Sequence, residues 1–484
     1  MIVFNILVPL IFFFLLYLAI QIFKITIFFI YLVQVKEYRR DRIKAHFRTK
    51  SGKNQLRDYF NLLKWRKFYR PKFTYRAFMI SILTFIIQYN FFFFSLRFFV
   101  HLFKGFPSAL IFLLILVVFL VNLITPLAVF LSAALSVLVF WPIKKAIIFL
   151  AQKKIKKAKN LLVIGITGSY GKTATKEILS FILSGFFNTL KTPANCNTEI
   201  GIASLVLRKL KPSHEILVVE MGAYKKGEIK AICQIVRPKI GIITGINEQH
   251  LELFGSLSNT QWAKFELIKS LPKNGLAIFN GNNSFTQRLF KATRINKKLY
   301  GQKRKRFKMP LEDGWHQENV EAALLVTDFL GWSRGRAKQR LKELKTFPLA
   351  LKVIKKGKEA VIINDSYSAN PTGFLAALDI LKKTSKSRKI LITPGIIELG
   401  KASDKVHKKI GQKASRICTK IFLTKPDFQE AIEKGISKRR KKGFIEVEED
   451  EVELWEKLSP FLDKKTAVLL EGRLPNFLIK KLCQ

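Results

Sequence analysis

Apolar positions run almost unbroken through the first 150 residues, then break into short blocks separated by polar, helix-patterned stretches. Residues 2–34 contain one charge, Lys24. A bilayer core needs about 20 helical residues, and no small-residue cleavage site follows, so this run reads as a membrane span and not as a secretory signal. A second apolar run, 78–100, is broken by Arg97, and a third, 108–150, by Pro126 and Pro142. The third is long enough for one span plus part of another. Residues 127–150 read as re-entrant, as interfacial or as an extension of the same helix, giving three or four spans in total. The competing reading, a buried helical domain, is disfavoured because such runs are hard to bury in a small soluble core.

Beyond residue 160 the pattern changes to an alternation of buried strands and amphipathic helices. Strands are predicted near 161–166, 215–220, 239–244 and 276–279, and again near 359–364, 389–393, 420–423 and 466–470. Strand–helix alternation implies parallel α/β sheets. The predicted organisation is a transmembrane α-helical region over 1–150, a central α/β domain over 151–345 and a second α/β domain over 346–484.

Charge adds sidedness. The formal net charge is +50, and residues 35–77, between two apolar runs, hold 15 Lys or Arg against three acids. The positive-inside rule places that loop in the cytoplasm, and basic residues so close to a span point to lipid headgroups rather than to nucleic acid. The runs Lys303–Lys308 and Lys438–Lys442 read as solvated loops or helix faces, with a headgroup role as the alternative. Four cysteines without Cys-x-x-Cys spacing argue against a zinc site or a disulfide framework.

Candidate chemistry begins at Gly165. A short apolar strand, Leu161–Ile164, leads into Gly165-Ile-Thr-Gly168-Ser-Tyr-Gly171-Lys172-Thr173 and then a helical pattern. Strand, glycine turn and helix start are the context in which backbone N–H groups can cradle phosphate. Lys172 is positioned for the β- and γ-phosphates of a nucleotide, and the Thr173 hydroxyl for Mg²⁺. Position 166 is Ile, so the longer Walker A spacing is absent. Glu220 ends an apolar strand, which places a carboxylate at the ligand edge of a parallel sheet. His250 follows another strand and a turn.

Several motifs in order resemble the Mur ligase family, and among its members the D-alanyl-D-alanine-adding branch. They are the phosphate loop; Thr192-Pro-Ala-Asn195-Cys-Asn197-Thr-Glu199; Val218-Val-Glu220-Met-Gly222; Thr244-Gly-Ile-Asn247; and His250-Leu-Glu252-Leu-Phe-Gly255-Ser256. Ala263-Lys264-Phe-Glu266, Asp365-Ser-Tyr367-Ser-Ala-Asn370-Pro371 and Glu398-Leu-Gly400 complete the set. The resemblance covers about residues 160–475. It implies a P-loop central domain and a Rossmann-like C-terminal domain, with ATP and Mg²⁺ as cofactors. By resemblance, Gly168, Gly171, Lys172 and Thr173 hold the phosphates, Glu220 shares Mg²⁺ with Thr173, and His250 and a carbamylated Lys264 hold a second metal. Asn280 and Asn319 stand near the nucleotide base, and Asp365 and Tyr367 face the nucleotide from the last domain. The implied catalytic set is Lys172, His250 and Lys264.

The implied reaction joins a muramoyl-peptide carboxylate to D-alanyl-D-alanine or a similar amine through an acyl phosphate. The partners are then a peptidoglycan precursor, a dipeptide or amino acid, and membrane lipid, with the catalytic domains on the cytoplasmic face of a multi-pass cell-membrane protein. The chain departs from the family where substrate is met. Membrane segments occupy the place of the uridine-nucleotide domain, Tyr170 replaces the common Asn, and Glu471-Gly472-Arg473-Leu474 stands where Lys-Gly-Ser-Arg is usual. A membrane-associated polyglutamate-type synthetase is the nearest alternative, and a non-catalytic nucleotide- or membrane-binding protein is another. A transport ATPase is disfavoured by the missing Walker A and Leu-Ser-Gly-Gly-type signature.

Overall fold

The computed structural model describes residues 2–60, 70–103, 110–301, 317–343, 352–355, 360–366, 369–437 and 443–483. Both basic runs at 303–308 and 438–442 fall outside the described residues, as does Tyr367. The chain forms two compact units, Met1–Lys145 and Ala146–Gln484.

In the first unit the long helices are Ile2–Val35, Tyr75–Leu102 and Leu110–Lys157, the last running on beyond the unit. Three helices among the described residues are long and apolar enough to cross a membrane. The third apolar run is a single helix through Pro126 and Pro142, and residues 127–150 continue it. Proline removes one backbone donor, a loss that apolar helices tolerate when packing re-satisfies the freed carbonyl.

Hydrogen bonds across the bundle set the helix directions. Gln88 Nε2 donates to Thr26 Oγ1 at 3.1 Å and Thr125 Oγ1 at 2.9 Å. Thr84 donates to Ser132 at 3.0 Å and Arg76 Nε to Ser136 at 3.0 Å, while Phe29 packs edge-on against Phe130 at 5.8 Å. Thr26 is therefore level with Thr125 and Phe29 with Phe130, so the first and third helices run parallel. The second runs antiparallel to both. Polar side chains face inward, and large apolar ones such as Phe12, Phe13, Phe85, Phe94 and Leu138 face outward and are exposed.

The second unit holds two sheets. In the first, β1 (Leu162–Thr167), β2 (Thr189–Lys191), β3 (Ile216–Glu220), β4 (Ile240–Ile243), β5 (Leu276–Asn280) and β6 (Lys297–Tyr300) are ordered β2-β3-β1-β4-β5-β6, all parallel. Apolar side chains of the central strands fill two cores, one on each sheet face. Val163, Leu217 and Val219 point into one, and Ile164, Ile166 and Val218 into the other. Burial on both faces explains why these strands read as continuous apolar runs.

The second sheet consists of β7 (Lys352–Lys355), β8 (Val361–Asp365), β9 (Arg388–Thr393), β10 (Lys420–Leu423), β11 (Ile445–Val447) and β12 (Thr466–Glu471). Their order is β11-β10-β9-β12-β8-β7, with only β7 antiparallel. Its two faces are likewise buried. The strands absent from the sequence reading, β2, β6, β7 and β11, are three or four residues long. They lie at or next to a sheet edge and include Lys or Glu, which hides the apolar signal.

Candidate active site at the carboxyl edge of the first sheet

From β1 the chain goes to one side of the sheet for β2 and β3, then crosses to the other side for β4. The crevice at such a reversal, outside the carboxyl ends of the strands, is where an open α/β sheet binds ligands. The loops after β1, β3 and β4 all open there, and they carry the phosphate loop, Glu220 and the segment up to His250.

The loop after β1 is shaped by close approach. Gly168 has φ +151°, and a Cβ on it would overlap Thr244 Oγ1. That hydroxyl is engaged by the loop itself, donating to the carbonyls of Thr167 and Tyr170. Gly171 is left-handed, with φ 75°, and caps the helix Lys172–Leu183. The free N–H groups of that first turn make an anion site. Lys172 folds back, its Nζ donating to the Gly168 carbonyl at 2.8 Å, and burial holds its pKa below the usual lysine value against the opposing pull of Glu220.

Thr173 donates to Glu220 Oε2 at 3.0 Å, joining the helix start to the end of β3. Asn197 Nδ2 donates to the other Glu220 oxygen at 3.3 Å, and the Glu220 N–H is held by Thr192 Oγ1 at 3.0 Å. This gives the Asn-rich segment a physical role: it aims the carboxylate. Behind it lies Lys176, wholly buried and 3.4 Å from Glu220 and 3.3 Å from Glu177. Sequence reasoning missed Lys176, because a lysine on an amphipathic helix normally reads as solvated.

Beyond β4, His250 adopts the left-handed conformation with φ 59°. Its Nδ1 is 2.6 Å from Glu398 Oε2 of the second α/β domain, and Tyr224 packs edge-on against the ring at 4.7 Å. Burial lowers the His250 pKa, while Glu398 acts in the opposite sense. Lys264, on the helix Leu257–Lys269, is buried, and that burial brings its pKa down to about 7, helped by the charge of Lys172. The electrostatic influence of Lys172 and Lys264 on His250, and of Lys172 on Lys264, puts the three in one neighbourhood. Glu266, two residues on, turns away. It accepts from the N–H of Gly227 at 2.6 Å and of Lys230 at 3.0 Å, capping the helix Glu228–Val236.

Asn280 and Asn319 stand on the far side of the loop. Asn280 Nδ2 donates to the Thr244 carbonyl at 2.8 Å and to Glu318 at 3.2 Å. Asn319 Oδ1 accepts from Thr175 at 3.0 Å, beneath the phosphate loop. Asp365 ends β8 in register with Glu471 at the end of β12. Further contacts join the two domains: Asn247 Nδ2 donates to Asn370 Oδ1 at 3.1 Å and to Thr372 Oγ1 at 3.0 Å, and the Glu252 N–H to the Glu398 carbonyl at 3.1 Å. His407 was not anticipated. It is fully buried and stacked on Phe428, and it accepts from the Ile396 N–H at 3.0 Å, fixing the loop that presents Glu398.

The fold and site thus define a phosphate-loop α/β protein whose second α/β domain meets the carboxyl edge of the first sheet. Known proteins sharpen this. The Mur ligase middle domain matches residues 166–338, and the Mur ligase glutamate ligase domain matches residues 351–474. Through these two domains the chain belongs to the Mur ligase family. The UDP-N-acetylmuramoyl-tripeptide--D-alanyl-D-alanine ligase of Escherichia coli (strain K12) is 31% identical over 280 residues, covering 52% of this chain and 62% of that protein. That of Bacillus subtilis (strain 168) is 30% identical over 274 residues, covering 51% and 59%. The chain spans about three-fifths of the length of these relatives. Among solved structures, MurF from Acinetobacter baumannii superposes with a TM-score of 0.61 at 25% identity, covering 70% of this chain and 79% of that one. MurF ligase from Thermotoga maritima in complex with ADP gives 0.60 at 26%, covering 68% and 80%.

Proposed function

We propose that the protein is a membrane-anchored, ATP-dependent ligase of peptidoglycan precursor synthesis, joining D-alanyl-D-alanine or a similar amine to a muramoyl-peptide carboxylate. The observation that carries this reading is the meeting, at one sheet edge, of the phosphate loop, the Thr173–Glu220 pair, His250 and a buried Lys264. A phosphate loop alone would support only nucleotide binding.

The residues fit ATP and Mg²⁺. Gly168 and Gly171 let the loop pack against Thr244 and turn into the helix, whose first-turn N–H groups would meet the phosphates, and Lys172 would exchange the Gly168 carbonyl for phosphate. Thr173 and Glu220 offer hard oxygen donors side by side. Two protein oxygens are enough for Mg²⁺, which completes its shell with water and phosphate. A bound Mg²⁺ would neutralise the triphosphate. His250 and Lys264 would serve a second cation, for which a lysine must lose its charge. Burial prepares it, since only a neutral amine adds CO₂ to become a carbamate.

With both substrates in place, the muramoyl-peptide carboxylate attacks the γ-phosphate, ADP leaves, and the amine attacks the resulting acyl phosphate to give amide and phosphate. This chain's part is positioning and charge neutralisation. Contact between the two α/β domains keeps water from the acyl phosphate.

The three apolar helices serve as the anchor. In this reading the basic 35–77 segment and the chain beyond the third helix are both cytoplasmic, where ATP is; the positive-inside rule and the parallel run of the first and third helices support it. An anchor in place of a uridine-nucleotide domain favours an acceptor held at the membrane surface. The test is acceptor- and amine-dependent phosphate release with soluble uridine-linked and lipid-linked acceptors, Lys172→Ala serving as control. No release with any pair would sink the ligase reading. Full activity on the soluble acceptor with residues 1–145 removed would sink the surface-acceptor part alone.

A further inference from the structure

We infer that Glu398, from the second α/β domain, fixes the tautomer and aim of His250, so that the metal-binding form of the first domain is complete only when the two domains are in contact. The inference rests on the ligase reading, in which His250 holds a metal.

A carboxylate can only accept, so the 2.6 Å contact places the proton on His250 Nδ1 and leaves the Nε2 lone pair for a ligand. Carboxylates that orient a ligating histidine are common, and removing one typically costs 10–100-fold in metal affinity. Here the carboxylate comes from a different domain, 148 residues further along the chain. Both partners hold backbone conformations that residues with a side chain avoid, φ 59° at His250 and 62° at Glu398. The segments are also tied by the Glu252 N–H to the Glu398 carbonyl at 3.1 Å. Gly400 comes so close that a Cβ there would sit 3.1 Å from Glu252 Cα. Two strained residues, docked backbone to backbone, show a contact built for geometry. The consequence is reciprocal: a metal at His250 favours domain contact, and domain contact favours the metal by the same factor.

The test uses the full chain in detergent with a non-hydrolysable ATP analogue. Mn²⁺ affinity is read by electron paramagnetic resonance, and domain contact by protection from trypsin. Glu398→Ala should weaken Mn²⁺ binding by roughly 10–100-fold and abolish Mn²⁺-induced protection. Glu398→Gln, whose amide oxygen still accepts from Nδ1–H, should recover most of both. Thr372→Ala removes a domain contact that does not touch His250 and leaves the Asn247–Asn370 bond in place, so it should cost much less Mn²⁺ affinity than Glu398→Ala. Wild-type affinity in Glu398→Ala, or an equal loss in Thr372→Ala, overturns the inference and leaves the ligase reading standing. A wild-type chain that binds the nucleotide analogue but no Mn²⁺ overturns the metal reading and this inference together.

Discussion

Asp365 and Glu471 end adjacent parallel strands in register, placing two carboxyls side by side at the carboxyl edge of the second sheet. Glu471 is fully buried, and among the described residues neither of its oxygens has a hydrogen-bond donor unless one carboxyl of the pair is protonated. Burial lifts Asp365 to about 6 and Glu471 well above the carboxylate range, with Asp365 adding to the rise at Glu471. Both shifts favour a proton held between the two carboxyls, and the larger rise at Glu471 favours that residue as its holder.

A carboxyl whose folded pKa is raised contributes most to stability below its unfolded pKa and loses that contribution as pH rises through the folded value. The thermal midpoint should accordingly fall between about pH 4 and pH 6 as Asp365 ionises, and continue to fall at higher pH as Glu471 follows. Glu471→Gln keeps a donor toward Asp365 without a titrating proton. It should raise the midpoint at pH 8 by about 2–4 °C and flatten the alkaline part of the profile. An unchanged profile in thermal melts of the two chains would count against the shared proton.

Lys264 yields a prediction of opposite sense. With its pKa near 7, the amine is largely neutral at pH 8 and largely charged at pH 6. Carbamylation needs the neutral form, so incorporation of ¹³C-bicarbonate, followed by NMR, should fall as pH drops through about 7. Lys264→Arg stays charged at every pH. It should show no carbamate signal and lose roughly 10²-fold or more in ligation rate while still binding nucleotide.

How much of this was legible in sequence depended on the range of the interaction. β1, β3, β4 and β5 could be read because they are buried on both faces and hence apolar throughout. The phosphate loop was legible because glycines are required by local backbone geometry at Gly168 and Gly171. Glu398 lay in a quoted motif, yet its partnership with His250 depends on how two domains meet, which leaves no local pattern. Glu471 was visible only as a departure, since its burial beside Asp365 comes from strand register. The continuation of the helix through Pro126 and Pro142 was one of three readings left open, because proline is a reliable breaker in water and a poor one among packed apolar helices.

Glu266 belongs to the same motif as Lys264 but serves the fold. It receives two N–H groups at the start of the helix Glu228–Val236, and loss of such a cap costs about 1–2 kcal/mol. Glu266→Ala should lower the thermal midpoint by about 2–4 °C with nucleotide affinity unchanged. A loss of affinity at constant stability would assign Glu266 to the site instead.

Gly168 tests the phosphate loop. A Cβ there collides with the Thr244 hydroxyl, and φ +151° is unfavourable to a side chain. Gly168→Ala should reduce nucleotide affinity at least about tenfold, in line with strain of 1–3 kcal/mol at a disfavoured backbone position. Adding Thr244→Ala removes the colliding oxygen but not the backbone strain, and should recover only part of the loss. Recovery to wild type would show that backbone conformation plays no part.

The helix directions in the first unit make the last prediction. Gln88 holds Thr26 and Thr125 at one level, and Phe29 meets Phe130 further along both chains, so the first and third helices point the same way. With these helices spanning a bilayer as proposed, their carboxyl ends, Val35 and the stretch near Trp141 and Lys145, would lie on one side and Phe103, at the end of the second helix, on the other. By the positive-inside rule the 15 basic residues of 35–77 would make the first side the cytoplasmic one. In intact cells a membrane-impermeant maleimide should label Phe103→Cys, and should label Thr49→Cys only after permeabilisation. The four native cysteines, Cys196, Cys233, Cys418 and Cys483, all lie after the third helix, so they too should be silent in intact cells. Labelling of Thr49→Cys from outside would invert the topology and put the nucleotide site where no ATP is available, which the ligase reading could not survive.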